Sequence, residues 1–256
     1  MKHRKYHIPV CAALALAFAA SNASASLYTI NWLNMGPTPF GSSVPNNSVF
    51  NLPGVGNVTV SYSIPAYFTD GRVQNPLLLN GNVVNGPDTY SWTGHELFGT
   101  NFTAGPDPLV PVPWSITYTF SNTLPAGMIY LGVAGLGQTT SYGGGASTAT
   151  VYQNGTFLGD WTAGGTYGPT QFTPGNPFQM QNSLTGAGGY DPWWNSALGV
   201  VKINDPISSL TVNFSQIRGD GIGVNIGAVP EPATLALLAG AGLLSRYSRR
   251  RHVSPA

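Results

Sequence analysis

Apolar residues recur at every second position through much of the chain's central part. Val58, Val60, Tyr62 and Ile64 alternate with Thr59, Ser61 and Ser63. The same rhythm runs through Ile116, Tyr118 and Phe120, through Leu210, Val212 and Phe214, and through Ile222, Val224 and Ile226. A period of two places each apolar set on one face of a β-strand. Shorter β-rich runs occur at Leu27–Ile30, Ile129–Val133 and Val200–Ile203. Asn80-Gly81 lies between Leu77–Leu79 and Val83-Val84, and Asn154-Gly155 lies between Thr150–Tyr152 and Thr156–Leu158. Asn-Gly supplies the positive φ of a tight turn, so both sites predict hairpins. No stretch of the body sustains a 3.6-residue period. Gly143–Gly145, Gly164-Gly165 and Thr173–Pro177 read as loops, because strand-like segments continue on both sides. The predicted fold is all-β: a single antiparallel β-sandwich or jelly-roll-like domain over residues 26–228.

Composition supports a folded body. Between Ser26 and Val229 there are 31 Gly and 17 Pro, near the level of low-complexity sequence, but also 26 aromatics, which a disordered tract lacks. Only 7% of all 256 residues are charged, and the formal net charge of +1 conceals a segregation. Lys2, Arg4 and Lys5 open the chain, while Arg246, Arg249, Arg250 and Arg251 sit near its end. The body keeps Arg72, Lys202 and Arg218 against eight acidic residues, a net −5. A nucleic-acid partner needs a basic face and is not expected. The lone cysteine, Cys11, precedes the body, whose one histidine is His95. Disulfides, thiol chemistry and multi-histidine metal sites are therefore not expected, nor is a cofactor.

The two ends read as addresses. Residues 1–25 have the order of a secretory signal peptide: basic Met1–His7, apolar Val10–Ala20, then Ala23-Ser24-Ala25. At the other end, residues 229–251 hold Val229-Pro230-Glu231-Pro232, the uncharged run Ala233–Leu244, and Arg249-Arg250-Arg251. Two prolines around a glutamate make an extended break, and Pro232 suits the start of a helix. That helix spans about 24 Å at ~1.5 Å per residue, short of ~30 Å of hydrocarbon unless the arginines snorkel. The basic residues at both ends are expected to stay cytoplasmic, with the body between them outside.

This tail resembles the PEP-CTERM sorting signal, and such tails also go by the name ice-binding protein C-terminal domain. The resemblance implies a Gram-negative bacterium that makes exopolysaccharide. It implies an exosortase partner that cleaves near Pro230-Glu231-Pro232 after transient insertion in the inner membrane. Delivery to the cell surface or matrix would follow. It implies nothing about what the body does.

Candidate chemistry in the body is sparse. Glu96, beside His95, is the best single candidate for a glycan-cleaving carboxylate, but its needed partner is not identified; Asp88, Asp107 and Asp191 each lie in Pro-rich turns, where aspartate caps its own backbone. No Asp-x-Asp occurs for calcium, although Gly219-Asp220-Gly221 and Gly189-Tyr190-Asp191 offer separate oxygen ligands. Tyr190, Trp193 and Trp194 set flat rings beside Asp191 and Asn195, a composition suited to sugar rings or to capping the open end of the sandwich. Trp92 and Trp161 are expected in the core. Arg218-Gly219-Asp220 reads as a turn. Regular threonine arrays would support ice binding, but Thr117-Tyr118-Thr119 and Thr148-Ala149-Thr150 stand apart in the sequence. The expectation is an exported, non-enzymatic surface or biofilm-matrix component, structural or adhesive. The alternatives are a lectin-like carbohydrate-binding module and a polysaccharide hydrolase or lyase.

Overall fold

A computed structural model describes residues 25–35, 42–65, 72–74, 81–93, 97–100, 111–137, 146–161, 169–182, 196–217 and 221–229. Residues 1–24, expected as a signal peptide with a signal helix, and the chain from Pro230 onward, with its expected short helix, lie outside the described residues. Among the described residues no helix is long and apolar enough to cross a membrane.

The described elements are strands: β1 Leu27–Thr29, β2 Asn31–Trp32, β3 Ser48–Leu52, β4 Gly56–Ser63, β5 Arg72–Gln74, β6 Gly81–Asn85, β7 Asp88–Trp92, β8 Leu97–Thr100 and β9 Val112–Leu124. They continue with β10 Ile129–Ala134, β11 Thr148–Val151, β12 Gly155–Trp161, β13 Thr170–Thr173, β14 Phe178–Asn182, β15 Leu198–Ile203, β16 Ile207–Gln216 and β17 Ile222–Ala228. One seven-stranded sheet has the order β13-β14-β11-β16-β9-β4-β3; we call it the front sheet. The back sheet has the order β12-β15-β10-β17-β8-β5, with β2 also paired to β17. A third sheet, β1-β7-β6, has three strands, and its β1–β7 pair is parallel, an exception to the antiparallel expectation.

The alternation read from sequence becomes layering. Val58, Val60, Ile116, Tyr118, Leu210 and Val212 of the front sheet share one core with Leu131, Val133, Val201, Val224 and Ile226 of the back sheet. A second core unites Tyr130, Leu198 and Val200 of the back sheet with Ile30, Trp32, Val83, Tyr90 and Trp92. The small sheet thus covers the outer side of the back sheet. This explains why β17 is buried along its whole length although only alternate residues are large. Its Gly223 and Gly227 leave room for Leu97 and for Ile30 with Trp32; a Cβ at Gly227 would lie 2.5 Å from Ile30 Cγ2.

Asn154-Gly155 does not make the expected hairpin, and Asn80 lies outside the described residues. Asn154-Gly155 joins β11 of the front sheet to β12 of the back sheet, so the chain changes layer there. Asn154 is held by Asp205, which accepts from its backbone N–H at 2.6 Å and from its Nδ2 at 3.0 Å. Gly155 is needed for space: a Cβ would lie 2.6 Å from Val201 Cγ1 and 2.8 Å from Phe178 Cε1. Gly81 opens β6, and the hairpin turn comes later, at Gly86-Pro87, with Gly86 at φ 59°. Leu77–Leu79 lies outside the described residues.

Register also assigns the two ends of the sandwich. β4, β8, β10, β12, β14 and β16 run out at the end marked by Val112↔Gln216 and Ala134↔Gly223. The turns Pro53–Val55, Tyr152–Asn154 and Asn204–Pro206 lie at the opposite end, and β17 finishes there too, with Ala228 paired to Ile129.

Candidate functional site

The front sheet carries no Asp, Glu, Lys or Arg in any of its seven strands. Its inner positions fill the core, so by the period of two its outer positions form an uncharged and mostly polar face, interrupted by exposed Val49 and Pro113. Register aligns them in rows across the strands. One row reads Thr173, Gln179, Thr150, Asn213, Ser115, Ser63 across six strands. At ~4.8 Å per strand it is about 24 Å long. Neighbouring side chains satisfy one another: Thr117 and Thr211 hydroxyls lie 2.8 Å apart, Gln179 donates to Thr150 at 3.2 Å, and Gln181 donates to Gln171 at 2.8 Å. Threonines that stand apart in sequence are therefore neighbours in space: Thr119 sits opposite Thr59, and Thr117 opposite Thr211. The rows still mix Gln, Asn and Ser with Thr and form no regular threonine array.

The charged side chains that are described lie elsewhere. Asp160 belongs to β12 and Lys202 to β15 of the back sheet, Asp88 to the small sheet, and Asp205 to the turn before β16. Burial raises the Asp160 carboxyl above the ordinary carboxylate value, opposed by the Thr170 backbone N–H, which donates to Oδ2 at 2.8 Å. Its Oδ1 is buried without a partner. Hydrogen bonds from Asn154 lower the Asp205 carboxyl. Asp88 does not cap its own turn: it accepts from the Ser26 backbone N–H at 3.2 Å and so ties down the start of the body. Among the described residues no three His, Cys, Asp or Glu gather as a metal site would require.

Trp92 is buried as expected and meets Trp32 edge to face at 6.0 Å. Trp161 is only half-buried and packs over Gly81. His95, Glu96, Asp107, Asp191, Asn195, Tyr190, Trp193, Trp194 and Arg218–Asp220 lie outside the described residues. The two flanks of the segment carrying Tyr190, Trp193 and Trp194 are described. Asn182 donates to the Leu136 carbonyl at 3.4 Å, Ser196 donates its backbone N–H to the same carbonyl at 3.0 Å, and the Ser196 hydroxyl accepts from the Leu136 N–H at 3.1 Å.

A cleft of about 350 Å³ opens where the three sheets meet. Ile30, Asn31, Trp32 and Asn34 line it from the first strands, Asn51 and Pro53 from the β3–β4 hairpin, and Thr93 from the end of β7. Sequence reasoning missed it because its residues come from three distant segments with no shared motif.

Of the tail, Val229 is described; it is half-buried against the second core, directly after β17. Pro230, Glu231, Pro232 and Arg249–Arg251 lie outside the described residues. A family model described as the PEP-CTERM protein-sorting motif matches residues 228–251. The chain carries a PEP-CTERM sorting motif. The match begins at Ala228, the last residue of β17, the last described strand. The motif implies processing by an exosortase, with export and sorting to the cell envelope. No curated protein and no solved structure matches the chain.

Proposed function

We propose that the protein is a non-enzymatic component of the cell surface or extracellular polysaccharide matrix, delivered there by its PEP-CTERM tail. The outer face of the front sheet is the surface that meets the polymer. The observation that carries this reading is seven paired strands without one charged residue. Hydroxyl and amide groups offer donors and acceptors at once, as the hydroxyls of a hydrated glycan do. Their uncharged rows are suited to many weak, water-bridged contacts with a neutral chain rather than to one tight site.

The test mixes the protein released by its producer with that cell's exopolysaccharide and measures both co-sedimentation and polymer length. We expect retention without shortening. Placing carboxylates on the face, Thr119→Glu with Thr173→Glu, should lower retention severalfold. Shortening of the polymer that Glu96→Gln abolishes would overturn the non-enzymatic reading. Retention lost in Trp193→Ala with Trp194→Ala, but kept in the face variant, would move the contact to the segment bearing Tyr190, Trp193 and Trp194 and make the protein lectin-like.

A further inference from the structure

We infer that the cleft at the junction of the three sheets is a binding site for a short neutral saccharide. The assignment rests on the matrix reading above and adds a defined site to it. The amides of Asn31 and Asn51 and the Thr93 hydroxyl belong to its walls. Each amide offers two donors and an acceptor, so vicinal hydroxyls are matched in both roles. Exposed Pro53 supplies apolar surface for the C–H face of a pyranose, and buried Ile30 and Trp32 back the cleft from beneath. Among the described residues no charged side chain lines the cleft, and its amide and hydroxyl groups match neutral hydroxyls. A volume of about 350 Å³ lies at the small end of ligand clefts, which run roughly 300–1,000 Å³.

The floor is rigid. Trp32 is 2% exposed, and its six-membered ring lies over Gly132 and Gly227, where an added Cβ would come within 2.8 and 3.0 Å of it. Its Nε1, on the far edge of the indole, is buried without a hydrogen-bond partner. Asn31 is also the backbone partner of Ala228, so the site stands at the root of the sorting tail. A sugar bound there lies at the end of the sandwich from which the tail departs. The front-sheet face, by contrast, runs the length of the strands.

The experiment titrates the released protein with size-fractionated oligosaccharides from partial hydrolysis of the producer's exopolysaccharide. A proline-rich peptide serves as a competing probe, and heat release and tryptophan fluorescence are followed. Saturable binding of a di- to tetrasaccharide is expected. Asn51→Ala with Thr93→Val changes exposed lining residues and should weaken that binding at least tenfold with the melting temperature little changed. The same variant should keep its co-sedimentation with intact polymer, whereas the Thr119→Glu, Thr173→Glu variant should show the reverse. Absence of saturable binding, binding indifferent to the Asn51 and Thr93 changes, or preference for the peptide would overturn the assignment. Polymer retention unchanged in the face variant would overturn the front-sheet reading and leave the cleft standing, so the two readings fail separately.

Discussion

Two tyrosines one strand apart show how much a single hydroxyl depends on its surroundings. Tyr62 donates its hydroxyl to the Val44 carbonyl at 2.6 Å and so fixes the segment that leads into β3. Tyr118 is fully buried between the two large sheets, its hydroxyl has no hydrogen-bond partner, and burial pushes its ionisation upward. An unmatched buried hydroxyl costs about 1–3 kcal/mol, while a satisfied one contributes about 1 kcal/mol. The same substitution should therefore act with opposite sign. Tyr118→Phe is expected to hold or raise the stability by about 1 kcal/mol, and Tyr62→Phe to lower it by about the same amount. Chemical denaturation of both variants checks this; a loss in Tyr118→Phe equal to that in Tyr62→Phe would refute it. Nothing in the alternation of Thr117-Tyr118-Thr119 distinguishes this phenol from its satisfied neighbour, because the partner atoms come from other strands.

The strands themselves were legible wherever the period of two was sustained. Val58–Ile64, Ile116–Phe120, Leu210–Phe214 and Ile222–Ile226 all fall on or beside observed strands, and their apolar sets face the main core. Strand partners were not legible. Hairpin chemistry is local, but most connections of this sandwich pass from one sheet to the other, so neighbours in sequence are seldom neighbours in a sheet. Asn154-Gly155 illustrates the error: Gly is present for room between Val201 and Phe178, not for a positive φ. Gly155→Ala should therefore behave as an overpacked core, at about 1–3 kcal/mol. A thermal melt would register this as roughly 2–12 °C for a body of this size, and a change under 1 °C would contradict it. The small third sheet escaped sequence analysis for a related reason. Its strands are short, and the other face of β17, Gly223, Asn225 and Gly227, is buried without large apolar residues that would mark it as covered. The chargeless front face was visible only as a low charge content until register showed that the charges had been left on the other layers.

For the molecule as a whole, the address and the body meet at one residue. The sorting motif begins at Ala228, where the last strand ends, and the tail was legible because its parts are contiguous: Pro230-Glu231-Pro232, an apolar run and three arginines. Replacing Glu231 together with Arg249–Arg251 should hold the protein in the inner membrane. Fractionation of cells and medium measures this, and unchanged release of the variant would count against sorting through the tail. The six strands that run out at the far end, including β14 ahead of Tyr190, Trp193 and Trp194, do so away from the tail. The cleft lies at the other end, beside the residue from which the tail continues.

β17 is an interior strand, bonded to β10 along one side and to β8 and β2 along the other. A pull on the C-terminus, from a processing enzyme or from flow past an anchored cell, is therefore directed along that strand. It loads both ladders at once in shear instead of peeling an edge bond by bond. The leash is fastened to the middle of the sheet and not to an edge strand.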